Sequence, residues 1–221
     1  MSAAVPPAFE EKVPSTFRLV ATLTLAGLLS GLILVMAYTT TLPRITANKE
    51  KALKEAVYQV VPGAEQMQPL VWEGSKLVVS DGTVQGPVVY GAYDEAGAFK
   101  GYAIKGSGPG FQDTIALLYG FDPATRRIVG LWILESRETP GLGDKIYKDA
   151  KWTGAFRDLA AEPPVAAVKD GADAPNEVDA ITGATISSKA VVKIVNGACL
   201  EWLPRFPEPG AEPAWSGGGG S

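Results

Sequence analysis

Asp179-Ala180-Ile181-Thr182-Gly183-Ala184-Thr185, running on into Ile186-Ser187-Ser188-Lys189, is where the chain changes character. Upstream lie short β-patterned segments; downstream lies a helical one. Gly183 permits a bend between them, and a Thr or Ser hydroxyl can cap the helix that follows. A helix N-terminus also presents free backbone N–H groups, which favour a phosphate. Thr182 and Thr185 place hydroxyls on either side of two small residues, so a bulky group can approach the backbone there.

Downstream, Ser187 to Leu203 reads as a helix with Val191, Val192, Val195 and Cys199 on or near one face, and Pro204 stops it. Upstream, from about Leu70 to Ser136, β-branched and aromatic residues alternate with turn signals. The expected strands are Lys76–Ser80, Pro87–Tyr93, Phe99–Lys105, Thr114–Phe121 and Ile128–Leu134. The expected turns are Asp81-Gly82, Asp94 to Gly97 and Asp122 to Thr125. Hairpins followed by a helix predict an α+β domain, an antiparallel sheet with flanking helices.

A second segment follows the last of those strands: Glu138-Thr139-Pro140-Gly141-Leu142-Gly143-Asp144. Pro140 fixes φ, and the two glycines permit close approach by a ligand. Taken alone, it reads equally as an ordinary loop between a strand and a helix.

Near the N-terminus, Leu19 to Tyr38 carries no charge and matches the roughly 20 residues a helix needs to cross a bilayer. Its length, and the lack of a small-residue cleavage site after it, favour a retained anchor over a cleaved signal peptide. Gly27 and Gly31, with Ser30 beside them, allow close approach by another helix. After the span, Ile45 to Val61 reads as a helix with Leu53, Ala56, Val57, Val60 and Val61 on one face, ended by Pro62-Gly63. The expected organisation is an N-terminal tail (1–16), a transmembrane helix (17–40), a connecting helix (41–62), one globular domain (63–206) and a flexible tail (207–221). That tail ends in Gly217-Gly218-Gly219-Gly220-Ser221, which has the look of a fusion linker.

Composition narrows the chemistry. The chain has 221 residues, a formal net charge of −4 and no basic stripe interleaved with aromatics, so nucleic-acid binding has no support. It contains no His, which removes a Ser-His-Asp triad and most transition-metal sites. The single Cys199 can form no internal disulfide and hold no iron–sulfur cluster; its apolar setting suggests a packed small hydrophobe. No catalytic acid or base and no metal ligand is expected.

The two segments, in this order and about forty residues apart, resemble the covalent-flavin domain family. Its members include the G subunit of the Rnf ion-translocating ferredoxin:NAD oxidoreductase complex and the C subunit of the Na⁺-translocating NADH:quinone oxidoreductase. The resemblance covers essentially the whole chain, from the N-terminal span to the attachment stretch. It implies FMN joined through its phosphate, as an ester, to Thr185, with Asp179, Thr182, Gly183 and Ala184 matching the recognition motif. Glu138, Thr139, Gly141, Leu142 and Gly143 match the loop expected to lie against the flavin. The family often has Ser where this chain has Thr182; both carry a hydroxyl. A separate flavin transferase makes the bond from FAD. The other implied partners are the membrane subunits of the complex and the lipid bilayer. The role implied is that of an electron carrier within an ion-translocating oxidoreductase, with the flavin supplying the redox chemistry. The quinone-reductase subunit and a flavin-bearing membrane regulator are the alternatives.

Orientation divides the two kinds of argument. Lys12 and Arg18 precede the span, while Arg44, Lys49, Lys51 and Lys54 follow it, so the positive-inside rule puts the C-terminal domain in the cytoplasm. The resemblance implies the opposite: a single-pass protein of the bacterial inner membrane with its FMN domain on the periplasmic side.

Overall fold

The computed structural model describes residues 15–80 and 86–217. The expected N-terminal tail up to residue 14, the Asp81-Gly82 turn and the Gly218–Ser221 ending lie outside the described residues. The chain divides into two units, Met1–Lys49 and Glu50–Ser221.

Helix α1 (Thr16–Val60) begins in the first unit and is long and apolar enough to cross a membrane. Its large apolar side chains from Leu19 to Met36 are exposed, as they would be in lipid. The sequence boundary at residues 40–41 falls inside this one helix. Pro43 has no N–H for the Thr39 carbonyl, yet the helix runs through it. Around the proline, Thr40, Thr41 and Thr46 turn their hydroxyls back onto the carbonyls of Met36, Ala37 and Leu42.

The second unit is a seven-stranded antiparallel sheet with helices on its faces. Its strands are β1 (Gln66–Trp72), β2 (Leu77–Val79), β3 (Val88–Tyr93), β4 (Phe99–Pro109), β5 (Thr114–Asp122), β6 (Arg127–Glu135) and β7 (Leu159–Ala160). Their order is β2-β1-β3-β4-β5-β6-β7. Two short helices, α2 (Lys145–Lys148) and α3 (Ala150–Gly154), follow β6. A small parallel pair, β8 (Ala166–Val168) and β9 (Glu177–Asp179), leads into α4 (Thr185–Trp202) and a short 3₁₀ turn, Leu203–Arg205.

The period-two alternation of the strands feeds two cores. On one face Tyr102, Ile104, Leu117, Tyr119 and Phe121 pack with Val191, Val192, Val195 and Cys199 of α4. On the other, Ala103 and Leu118 pack with Ala56, Val57 and Val60 at the end of α1. Gly120 and Gly130 are register partners on β5 and β6. A Cβ at either would stand 2.0 and 2.6 Å from the Val60 carbonyl oxygen, so glycine is what lets the helix end rest on the sheet.

Two expectations need correction. Lys76–Ser80 does not pair with Pro87–Tyr93: β1 lies between β2 and β3 and pairs with both. Pro69 and the polar Gln66 and Gln68 disguise β1 as a loop. The segment after Phe206 does not run free as far as residue 216. Phe206 stacks on Tyr102 at 4.1 Å, and Trp215 lies against Tyr93 at 5.5 Å. Between them the buried Gln68 donates to Ala214 O (2.9 Å) and accepts from Ser216 N (3.1 Å).

Candidate functional site

The two sequence segments meet at the N-terminus of α4. They enclose an open cleft of about 310 Å³, lined by Phe111, Thr139, Leu142, Gly143, Gly183, Ala184, Thr185, Ile186 and Ser187. No lining side chain is charged. Phe111, Leu142 and Ile186 are 64%, 52% and 57% exposed. Three large apolar groups from three separate segments thus border one small concavity, an arrangement suited to a flat aromatic ligand.

Thr185 is the first residue of α4 and is exposed. The expected Thr or Ser cap is absent: Ala184 stands at the N-cap and supplies no side-chain hydrogen bond. No acidic residue occupies the first turn either. The helix start therefore offers its N–H groups to an external anion, beside an accessible hydroxyl. The turn leading in is held from within. Gly183 has φ +82°, Ala184 N donates to Ile181 O (2.9 Å), and Ser188 Oγ accepts from Ile181 N (3.1 Å). Lys145 Nζ reaches Thr182 O at 3.3 Å, tying α2 to the same turn.

Glu138 organises the floor. It is 5% exposed. One carboxylate oxygen accepts from Phe111 N (2.9 Å) and Gln112 N (3.0 Å); the other accepts from Ser187 Oγ (2.5 Å). Burial pushes its pKa up, but the Ser187 hydroxyl and the backbone N–H groups of Gln112, Phe111 and Asp113 outweigh that and leave it below the ordinary value. A Cβ on Gly110 or Gly143 would come within 2.4 or 2.6 Å of the Glu138 oxygens, so both glycines make room for this carboxylate. The rest of the loop is also braced. Thr139 Oγ1 donates to Gln112 Oε1 (2.8 Å), and Gly141 N, at φ +78°, donates to the buried Asp144 (2.9 Å). The Lys148 ammonium beside Asp144 holds that carboxyl below its usual range.

Of the residues singled out in the sequence, Thr139, Leu142, Gly143, Gly183, Ala184 and Thr185 line the cleft. Glu138 lies beneath it, and Gly141 shapes the loop. Asp179 and Thr182 border a separate pocket of about 620 Å³ on the other side of the turn, together with Trp152 and Lys145. There Asp179 accepts from Trp152 Nε1 through its carbonyl (2.9 Å) and from Ala172 N through its carboxylate (2.9 Å). Phe111, Ile186 and Ser187 escaped sequence reasoning as cleft residues. Phe111 could have been suspected as a lone aromatic after Gly108-Pro109-Gly110. Tyr119 is fully buried, its hydroxyl 3.4 Å from Cys199 Sγ, and it has no place in the cleft. Among the described residues no cluster of three or more His, Cys, Asp or Glu could hold a metal.

Comparisons with known proteins bear on this geometry. The FMN-binding domain family matches residues 110–199, which hold both segments of the cleft. The chain is 33% identical over 186 residues to the G subunit of the ion-translocating oxidoreductase complex of Methanosarcina acetivorans, covering 82% of this chain and 91% of that one. It is 30% identical to the G subunit of the proton-translocating ferredoxin:NAD(+) oxidoreductase complex of Clostridium ljungdahlii, over 83% of this chain and 90% of the relative. Among solved structures, the C subunit of the Na(+)-translocating NADH-quinone reductase from Parabacteroides distasonis is similar in fold. It shares 18% identity, with a TM-score of 0.57, over 76% of this chain and 98% of that one. NqrC of Shewanella oneidensis gives 18% and 0.56 over 68% and 91%.

Proposed function

The chain belongs to the family of G subunits of ion-translocating oxidoreductase complexes, and from that premise we propose that it is a membrane-anchored electron carrier of an Rnf-type complex. It bears FMN through a phosphoester to Thr185. The observation that carries the reading is the cleft at the start of α4. An exposed hydroxyl, an uncapped helix N-terminus and three exposed apolar side chains stand together within the residues matched by the FMN-binding family.

The residues fit the group. Thr185 Oγ is the point of attachment. The first-turn N–H groups of α4 face the phosphate with their partial positive charge. Phe111, Leu142 and Ile186 supply apolar walls for the ring system. FMN, when bound, accepts and passes on electrons; the chain anchors it, orients it and shapes its surroundings. A covalent link keeps the cofactor with the protein even though the cleft is open, so the ring can stay near the surface and within reach of redox partners. Asp179, Thr182, Gly183 and Ala184 form the turn that presents Thr185 to a flavin transferase.

The partners are the other membrane subunits of the complex, and the coupled process is ion translocation, Na⁺ or H⁺. Helix α1 anchors the chain in the bacterial inner membrane, with residues 17–40 crossing it and the FMN domain, residues 63–206, on the periplasmic side. Denaturing electrophoresis tests the attachment: flavin fluorescence stays with the unfolded wild-type band and vanishes in Thr185→Ala. Fluorescence lost from the wild-type band on denaturation overturns the covalent reading. Alkaline phosphatase fused after residue 206 tests the orientation, and inactivity of that fusion would reverse it.

A further inference from the structure

The cleft has no charged side chain in its lining, yet an ionised carboxylate lies directly beneath it. Both Gly143 and Ser187 line the cleft, and both touch the Glu138 carboxylate from below, one as a glycine with no room for a Cβ and the other as a hydrogen-bond donor. The oxygens of Glu138 meet peptide N–H groups and one hydroxyl, all neutral. The adjacent Arg137 reaches towards Asp113 instead, at 3.7 Å. Glu138 also joins three pieces of chain that are far apart in sequence: the β4–β5 turn through Phe111 and Gln112, its own loop, and the first turn of α4 through Ser187. Cutting that tether frees Phe111 on one side of the cleft and the start of α4 on the other.

We propose that Glu138 is a positioning residue for the flavin, not a contact to it: its carboxylate locks the cleft floor and sets a fixed negative charge under the bound ring system. This rests on the reading of the cleft as the FMN site. The depressed pKa agrees with the carboxylate being ionised at neutral pH. A negative charge held in a poorly solvated place opposes the arrival of electrons nearby. The chain thereby makes its cofactor harder to reduce than it would be over a neutral floor. The two roles separate by substitution. Glu138→Gln keeps the shape and most hydrogen bonds, since Ser187 can accept from the amide, but removes the charge. Ser187→Ala keeps the charge and cuts one strand of the tether.

The test uses the full-length, flavin-loaded chain in detergent, with a spectroelectrochemical titration and the visible circular dichroism of the bound flavin. In Glu138→Gln the reduction potential shifts upward. In Ser187→Ala the potential moves less, while the visible dichroism, which reports how firmly the ring system is held, weakens. A Glu138→Gln chain loaded with flavin at the wild-type potential overturns the electrostatic role. An unchanged visible dichroism in Ser187→Ala overturns the locking role. Should Glu138→Gln fold, by far-UV dichroism, without loading, the locking role is supported; should it fail to fold, the Ser187→Ala result decides the locking role. A wild-type chain that never acquires flavin overturns the parent reading and this one with it. A loaded wild type with two unresponsive variants overturns this one alone.

Discussion

Replacing Gly143 by alanine should damage the cleft from below. A Cβ built there would stand 2.6 Å from Glu138 Oε2, 2.8 Å from Glu138 Cβ and 2.8 Å from Ser187 Oγ. None of these atoms is the far end of a free side chain, because Glu138 is pinned at both oxygens. Relief requires the carboxylate and the Ser187 hydroxyl to part. Overpacking of this kind costs about 1–3 kcal/mol, and a lost hydrogen bond to a buried charge costs about 1.5–3 kcal/mol. The two together come to roughly 2.5–6 kcal/mol, a large share of the about 5–15 kcal/mol that holds a typical domain together. That corresponds to a fall of roughly 10 °C in the unfolding midpoint of the detergent-solubilised full chain, read by tryptophan fluorescence. Flavin retained on the band in denaturing gels should fall with it, because the first turn of α4 loses its tether.

Gly141→Ala is the control. Gly141 has φ +78° and open space around its Cβ position, so alanine costs only the left-handed backbone, about 1–2 kcal/mol, and leaves Glu138 untouched. It should load flavin normally. A Gly143→Ala chain as stable as wild type and fully loaded would refute the reasoning about the floor.

Three further outcomes follow from the same contacts. Gly120→Ala would drive a Cβ to 2.0 Å from the Val60 carbonyl oxygen, a backbone atom that cannot swing aside; a loss of about 3 kcal/mol or more, or failure to accumulate, is expected by the same thermal assay. Gln68→Leu should leave the Ala214 carbonyl and the Ser216 N–H without their partner at a cost of about 1–3 kcal/mol, and limited proteolysis should then cut after Phe206 where wild type resists. Glu138 has a pKa lowered from 4.5. It therefore contributes stability that is complete above that value and is lost as pH falls through the lower folded value. Acid unfolding of wild type below about pH 4.5 should be steeper than that of Glu138→Gln.

Much of the fold was legible because its periodicities are clean. Helix α4 announced itself through Val191, Val192, Val195 and Cys199, all of which are buried. Strands β3 to β6 alternate strongly enough that Leu117 and Leu118 feed opposite cores. Strand β1 was hidden because its pattern is set by a buried polar side chain, Gln68, whose partners lie about 25 and 146 residues away in sequence. No local signal carries such a pairing. The tail was misread for a similar reason: proline and glycine dominate its composition, while its anchors, Phe206 and Trp215, find their partners on β3 and β4. At the site, the turn before α4 and the Glu138 loop were readable as segments, and Thr185 as an accessible hydroxyl. What the segments could not reveal was the direction of Glu138. A carboxylate in a glycine-rich loop suggests a ligand contact, and only the fold turns it inward onto Ser187 and the β4–β5 turn.

Trypsin should release the peptide from Asp170 to Lys189, which contains both Thr182 and Thr185. Fragmentation of that peptide from the chain extracted from its native membrane should place one FMN, less water, on Thr185. The same peptide recovered wholly unmodified, or carrying its flavin on Thr182, would contradict the account.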